Sequence, residues 1–223
     1  MPLANIVVET FLKGGPIMWP ILACLVVALA TVTERVLYWR KVRRLRAEPV
    51  FAEALGDIRL GRFGPVWERT RDATSPFLVA LRAGLGNSRA EPVTAMQLSA
   101  EETLEEAGAR QWLLSTIVTL APLLGLLGTV IGIMGSFQFI GSEQLAVAKV
   151  SGGVGEALIA TAAGLGIAIV CLIPHNYFHR RVQALRHDLE QAVNQAEVAL
   201  KAAAAAGQPV GEFQPETAAG RAR

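Results

Sequence analysis

Three of the polar side chains inside the apolar stretches of the sequence, one carboxylate and two hydroxyls, are of types that suit the handling of protons. Glu156 is the only charged residue between positions 150 and 174. A carboxylate near the centre of a bilayer costs about 2.5 to 3.5 kcal/mol, so it should face protein or water. Thr129 and Thr161 carry hydroxyls that can relay a proton but not store one, because threonine does not titrate at useful pH. The sequence is therefore compatible with an ion pathway lined by Glu156, Thr161 and Thr129, and a proton pathway of this kind would need a further carboxylate on a partner helix.

The depth of these groups follows from the rise of a helix. If a helix begins near Gly152, Glu156 lies about 6 Å inside the bilayer and Thr161 lies near its middle. Thr129, eleven residues before Ile140, reaches a similar depth from the opposite direction. Five residues separate Glu156 from Thr161, about 140° around a helix, so one of them is expected to face a neighbouring helix. Glu156 also fits a first-turn acid favoured by the helix dipole by about 0.3 to 1 kcal/mol, and both interpretations stay open.

Small residues recur every three or four positions around these polar groups. Such stripes let helix backbones approach closely in a membrane, and tight packing alone accounts for most of them. The residues predicted to pack the helices and line a pore are Gly125, Gly128, Gly132, Ser136, Ala160, Ala163 and Gly164.

Metal, cofactor and catalytic sites are not predicted. His175 and His179 have the spacing of a metal-binding pair, but without a third ligand they are interpreted as polar residues at the membrane interface. Cys24 and Cys171 lie inside apolar runs and are interpreted as small hydrophobic residues. The spans contain no pair of aspartates, no Ser/His pair and no H-E-x-x-H motif, so we do not expect an enzyme.

The elements that must position these groups are membrane-spanning helices. Of the 223 residues, 52% are hydrophobic and only 18% are charged, which is too apolar for a soluble domain, and a net charge of +2 does not indicate a nucleic-acid partner. Three stretches are long enough to cross about 30 Å of hydrocarbon as helices. The predicted all-α organisation comprises an outer segment 1–13, transmembrane helices 14–39, 111–140 and 152–176, a cytoplasmic helical segment 40–110, a short outer loop 141–151, a cytoplasmic helical extension 177–206 and a disordered tail 207–223.

The orientation follows from the basic residues, which favour the cytoplasmic side. Positions 40–110 hold 12 of the 21 lysines and arginines, and six more follow position 176. In the outer segment the only basic residue is Lys13, and in the outer loop it is Lys149. The amino terminus is therefore predicted outside and the carboxyl terminus in the cytoplasm.

The second and third spans are predicted to continue as cytoplasmic helices. The second helix should start near Pro92, since proline suits a first helical position. After the third span an apolar stripe recurs at Val182, Leu185, Leu189, Val193, Ala196 and Leu200. The glutamates at 101, 102, 105 and 106 and the arginines at 180, 181 and 186 lie at similar depths, and either ion pairing or separate solvated faces would account for them.

Two stretches of the sequence resemble a known family. Residues 121–134, APLLGLLGTVIGIM, and 155–165, GEALIATAAGL, are similar to the paired signature of the MotA/TolQ/ExbB proton channel family. The segments GGPIMWPI at 14–21 and ERVL at 34–37 resemble ExbB more than TolQ, and the additional span of MotA-type stators is lacking.

The resemblance implies a subunit of a proton-motive-force-driven motor in the bacterial inner membrane, with the outer side facing the periplasm. It implies a homopentameric helical channel around the membrane helices of an ExbD-like dimer, whose aspartate carries the proton. Proton flow would drive rotation and energise a TonB-like protein acting on outer-membrane transport. By motif position, Thr129 and Thr161 would be the pore hydroxyls and Glu156 the pathway acid.

Other function classes remain as alternatives. A TolQ-like subunit of the Tol-Pal envelope-maintenance system would share these motifs, and a non-conducting scaffold would use the small residues for packing alone. A secondary transporter would usually show internal repeats around a midplane site, and the sequence has no visible repeat.

Overall fold

The fold of the described chain is entirely helical. The computed structural model describes residues 3–44, 48–137, 146–210 and 213. Its helices are α1 (Leu3–Lys13), α2 (Met18–Arg44), α3 (Glu48–Arg59), α4 (Phe63–Arg69), α5 (Pro76–Gly86), α6 (Pro92–Gly108), α7 (Gln111–Phe137) and α8 (Ala146–Ala205). They form two compact units, Met1–Arg35 with Arg110–His179 and Val36–Ala109 with Arg180–Arg223, and both α2 and α8 contribute to each unit.

The first unit contains the membrane helices. Three helical stretches, Met18–Val42, Pro92–Phe137 and Val150–Ala205, are long and apolar enough to cross a bilayer. Large apolar side chains such as Met134, Leu158 and Ile173 are exposed along them, as lipid or subunit contacts require. The predicted all-α class with three membrane helices is therefore confirmed, whereas positions 141–145 of the predicted outer loop lie outside the described residues.

The helix expected to run unbroken into the second span is divided into α6 and α7. Helix α6 begins at Pro92 and ends at Gly108, and Arg110 then adopts a left-handed backbone with φ of 61°. L-residues pay about 1 to 2 kcal/mol for that conformation. The Arg110 guanidinium is hydrogen-bonded to the carboxylate of Glu34, whose other oxygen accepts a 2.9 Å hydrogen bond from buried Arg35. A charged cluster thus holds the site where the helix is interrupted.

The second unit packs small helices against the end of α8. The predicted stripe on α8 is buried from Leu185 to Leu200, which confirms it, and only Val182 is half-buried. Helices α3 to α6 supply Ile58, Val66 and other apolar side chains to the same core. One of the predicted charge pairs also forms, with Arg186 Nη1 3.8 Å from Glu101 Oε1, but both side chains are exposed and such a pair contributes only about 0 to 1 kcal/mol.

The start of the tail expected to be disordered is ordered against this core. Val210 and Phe213 pack on it, and the Phe213 ring lies 6.0 Å from that of Phe63 and 6.1 Å from that of Trp67. Ser88 also donates a 2.9 Å hydrogen bond to the Phe213 carbonyl. The mostly polar composition of the tail did not predict this contact, because only the isolated apolar side chains of Val210 and Phe213 make it. Positions 211, 212 and 214–223 of the tail lie outside the described residues.

Candidate functional site

Helices α7 and α8 lie in backbone contact along the small residues of their sequences. A Cβ added to Gly125 would lie 3.0 Å from the Cα of Thr161, and one added to Gly132 would lie 2.9 Å from the carbonyl oxygen of Gly153. A Cβ on Gly164 would collide with the carbonyl oxygen of Ala121. Positions that rise along α7 meet positions that fall along α8, so the helices are antiparallel. Neither helix can carry larger side chains along this contact without moving away from the other.

The remaining small residues predicted at this site divide between two contacts. Gly128 faces Ala160, which is fully buried, and Ser136 lies against Gly153 while its hydroxyl donates a 2.8 Å hydrogen bond to the Gly132 carbonyl. Ala163 instead packs, partly buried, against the cluster that Met18 and Ile21 of α2 form with Ala160. The three membrane helices therefore meet around Ala160.

The hydroxyl of Thr161 links the two helices. Thr161 Oγ1 donates a 2.8 Å hydrogen bond to the carbonyl oxygen of Gly125, across the glycine contact. The hydroxyl of Thr129 stays within its own helix and donates a 2.6 Å hydrogen bond to the Leu126 carbonyl. Both hydroxyls keep their acceptor lone pairs, because each bond uses only the proton. Each hydroxyl oxygen can therefore still accept a hydrogen bond from a proton-bearing group.

The carboxylate of Glu156 faces the turn between α1 and α2. A Cβ placed on Gly15 would collide with Glu156 Oε1 and lie 2.6 Å from its Cδ. Thr161 faces α7 while Glu156 faces this turn, which is the divergence that their 140° separation on one helix requires. Glu156 is half-buried, and no described residue forms a hydrogen bond or ion pair with it.

The register brings the three polar side chains to neighbouring levels. Gly128 lies opposite Ala160 and Gly132 lies opposite Ala157, so Thr129 falls between the levels of those two alanines. Glu156 and Thr161 lie on either side of that level, about 7.5 Å apart along the axis of α8. Two hydroxyls and one carboxylate thus lie at levels within about two helical turns of one another, although Thr161 faces α7 and Glu156 faces the turn between α1 and α2.

Some polar residues of the first unit were not singled out from the sequence. Arg35 is only 4% exposed beside Glu34, and Arg110 completes their cluster. The adjacent opposite charges at the end of an apolar run are a signal that could have identified it. Gly15 was likewise not assigned a role, although the Gly-Gly-Pro sequence predicts a turn.

The two histidines at the carboxyl-terminal end of the third span lie together. The rings of His175 and His179 are stacked with centroids 6.4 Å apart, and the buried Nδ1 of His175 has no hydrogen-bond partner. Within the described ranges no group of three or more potential metal ligands occurs. The pair therefore stays interpreted as interfacial.

Outside the spans, the carboxyl group of Glu9 has a displaced pKa. Lys13 donates a 2.7 Å hydrogen bond to Glu9 on exposed helix α1, and this bond and the positive charge of Lys13 hold the pKa of Glu9 below its usual value. The pair lies one turn before Gly14, where α1 ends.

Comparison with known proteins agrees with this geometry. The sequence model of the MotA/TolQ/ExbB proton channel family matches residues 73–191, which include the paired small-residue helices and Glu156. The chain is 35% identical over 176 residues to the biopolymer transport protein ExbB-like 1 of Synechocystis sp., covering 74% of this chain and 67% of that protein.

Two shorter matches are to an ExbB and to a TolQ protein. The chain is 42% identical over 88 residues to the biopolymer transport protein ExbB of Neisseria gonorrhoeae, covering 39% of this chain and 40% of that protein. It is 39% identical over 95 residues to the Tol-Pal system protein TolQ of Haemophilus influenzae, covering 42% of each. The chain is a membrane protein that belongs to the MotA/TolQ/ExbB proton channel family and is similar to its ExbB-like members, with TolQ second.

Proposed function

We propose that this protein is the ExbB-like subunit of a proton-driven motor in the bacterial inner membrane, which conducts protons only together with a partner. The observation that carries the proposal is that Thr129, Thr161 and Glu156 lie at levels within about two turns of one another on the closely packed helices α7 and α8. Family membership supports the same assignment. As a proton channel subunit the chain carries out transport and not catalysis.

The partner is required by the chemistry of this group. The two threonines cannot hold a proton at useful pH, so Glu156 is the one titratable side chain among the three. A proton crossing the bilayer needs a second titratable group that can bind it. We propose that the aspartate of an ExbD-like helix is this group. A homopentamer of this chain around an ExbD-like dimer would place that aspartate beside the hydroxyls. The motor would then energise a TonB-like protein that acts on outer-membrane transport.

The orientation we propose places α1 in the periplasm and the helices of the second unit in the cytoplasm. The excess of lysine and arginine in positions 40–110 and after position 176 supports it. Single cysteines are introduced at Glu9 and at Glu197 in a chain lacking its native cysteines. The cysteine at position 9 should react with a membrane-impermeant maleimide applied from the periplasmic side, and the cysteine at position 197 only when the reagent is applied from the cytoplasmic side. Labelling of both from the same side would contradict this topology.

Proton flux into liposomes tests the proposed function. Liposomes should contain this chain with or without the membrane protein encoded beside it, under an imposed pH gradient. We expect flux only with both proteins. Glu156→Gln should lower it by about 10²-fold or more, because general acid–base groups typically contribute that much to a rate. Thr161→Val should also lower it, because it removes a hydroxyl that can relay a proton. Thr119→Val is the matched control, since Thr119 is exposed on α7 and bonds only its own helix.

The outcomes separate the channel from a scaffold. A verified complex that shows no flux in any preparation, or whose flux is unchanged by both substitutions, would contradict a proton pathway through these helices. Complementation then distinguishes the branches, because an ExbB-like subunit should restore TonB-dependent uptake to cells lacking ExbB. Restoration of envelope integrity in cells lacking TolQ, without restored uptake, would instead assign the chain to the Tol-Pal system.

A further inference from the structure

The turn between α1 and α2 lies directly against the acid of the third span. We propose that Gly15 is a positioning residue for Glu156, because its backbone without a side chain forms the wall against which the carboxylate rests. The inference rests on the proposed role of Glu156 in the proton pathway and adds a contribution of the first span to that pathway.

The turn has a defined backbone. The Gly14 amide donates to the carbonyls of Thr10 and Phe11 at 3.1 and 3.2 Å, which ends α1, and the Met18 amide donates to the Gly15 carbonyl at 3.2 Å, which begins α2. Between them Gly15 adopts a left-handed φ of 73°. Glycine takes this conformation without the penalty of an L side chain, so the residue type fits the turn before any contact is considered.

The turn is fixed on both of the helices that carry the polar groups. A Cβ on Gly14 would lie 3.1 Å from Ile159 of α8, and the Cγ2 of Ile17 lies 2.8 Å from the Cβ position of Gly128 on α7. Ile17 and Phe11 also pack against the apolar cluster around Ala160. The turn therefore cannot withdraw from Glu156 without losing apolar contacts on either side.

The Glu156 side chain is held by this packing and not by polar bonds. The Cβ position of Gly15 is occupied by the carboxylate itself, with Cγ 3.1 Å away. Glu156 forms no hydrogen bond or ion pair with any other residue that the structure describes. Contact with the Gly15 backbone thus limits where the carboxylate can lie, while its oxygens keep their capacity to exchange a proton. Any L side chain at Gly15 must displace the acid.

Proton flux by the complex of this chain with its neighbour-encoded partner provides the first test. Gly15→Ala should reduce partner-dependent flux about tenfold or more, since displacing a reacting group by about 1 Å can cost up to about 10²-fold. Glu156→Asp retracts the carboxylate so that an oxygen lies about where the Glu156 Cδ lies, farther from the Gly15 Cβ position than Oε1. Gly15→Ala should therefore cost less flux in that background than in the native protein. Gly14→Ala is the matched control, because the atoms nearest to its Cβ belong to Met18 and Ile159. Its effect should be the same in both backgrounds.

A second substitution separates displacement of the acid from backbone strain. Asparagine tolerates a left-handed φ better than alanine but also carries a Cβ. Gly15→Asn should therefore lose as much flux as Gly15→Ala. Flux close to that of the native protein in Gly15→Asn, or the same loss from Gly15→Ala in the Glu156→Asp background, would overturn the positioning role.

Thermal unfolding of the purified protein tests the contact between Gly15 and Glu156 without relying on flux. Gly15→Ala should lower the midpoint. Glu156→Ala should restore the part of that loss that comes from the carboxylate, because it removes the atoms that the new Cβ meets, while the strain of a left-handed alanine remains. Equal losses in the two backgrounds would overturn the contact, whatever the flux shows. If the native complex conducts no protons but this coupling is observed, the proposed function fails while the contact stands. If Gly15→Ala does not assemble, recovery of assembly by Glu156→Ala supports the contact and no recovery overturns it.

Discussion

The side chain of Thr161 has two tasks that a substitution can separate. Its hydroxyl joins α8 to α7 through the Gly125 carbonyl, and the same oxygen keeps lone pairs for a proton-bearing partner. A hydrogen bond of this kind contributes about 0.5 to 1.5 kcal/mol to stability. Loss of flux is therefore informative only when it is compared with the loss of stability.

We predict that Thr161→Ser keeps both flux and stability, whereas Thr161→Val loses flux and about 1 kcal/mol of stability. Serine retains the hydroxyl, and valine replaces it with a methyl group of similar shape. Thermal unfolding and liposome flux should be measured on the same preparations, with Thr116→Val as control because Thr116 bonds only Trp112 of its own helix. Flux that survives in Thr161→Val would remove this hydroxyl from the pathway.

The contact between α7 and α8 is limited by backbone atoms, so it is sensitive to single methyl groups. We predict that Gly164→Ala destabilises the protein by about 1 to 3 kcal/mol, because its Cβ would meet the Ala121 carbonyl and the Gly125 backbone, which cannot rotate aside. Gly166→Ala is the control, since its Cβ meets nothing within 4 Å and alanine favours a helix by about 0.5 to 1 kcal/mol. Equal thermal midpoints for the two variants would contradict this packing.

The interruption between α6 and α7 makes a separate prediction. Arg110→Gly should be more stable than Arg110→Ala by about 1 to 2 kcal/mol, because both lose the ion pair with Glu34 but only glycine adopts a φ of 61° without strain. Denaturant unfolding of the two variants measures the difference. A more stable Arg110→Ala would indicate that the helix runs through this position without interruption.

Some of these elements follow from the sequence and others do not. Hydropathy and charge are enough to predict three membrane helices, and the spacing from Leu185 to Leu200 predicts the buried stripe of α8. The interruption at Arg110 does not follow, because a left-handed arginine has no signature in composition and depends on Glu34 from a distant part of the chain.

The candidate site shows the same division. The residue types of Thr129, Thr161 and Glu156 indicate proton chemistry, and helix geometry predicts that Glu156 and Thr161 face different neighbours. Which neighbours these are depends on tertiary packing. The contact of Glu156 with Gly15 joins positions 141 residues apart in the sequence, and no local pattern encodes it.

At the scale of the whole molecule, the chain folds back onto the other helices of the second unit after α8 ends. Gly207, with φ of 75°, follows the helix, and Phe213 then packs between Phe63 and Trp67. Arg82 lies over the same Trp67 ring at 3.8 Å and donates a 2.9 Å hydrogen bond to its carbonyl. Residues far apart in the sequence thus meet at one aromatic cluster, which closes the second unit.

We predict that Phe213→Ala destabilises the second unit by about 1 to 3 kcal/mol, less than the 3 to 5 kcal/mol typical of a fully buried phenylalanine, because the side chain is half-buried. Limited proteolysis should then cleave the segment after Ala205 faster, since the aromatic contact and the Ser88 hydrogen bond no longer hold it against the helices. Val198→Ala is the control, because Val198 is 61% exposed on α8. Equal cleavage rates in the native protein and Phe213→Ala would show that the tail does not depend on this contact. The proton flux of Phe213→Ala should stay close to that of the native protein although the variant is less stable. The reason is that Phe213 belongs to the second unit, whereas Thr129, Thr161 and Glu156 belong to the first.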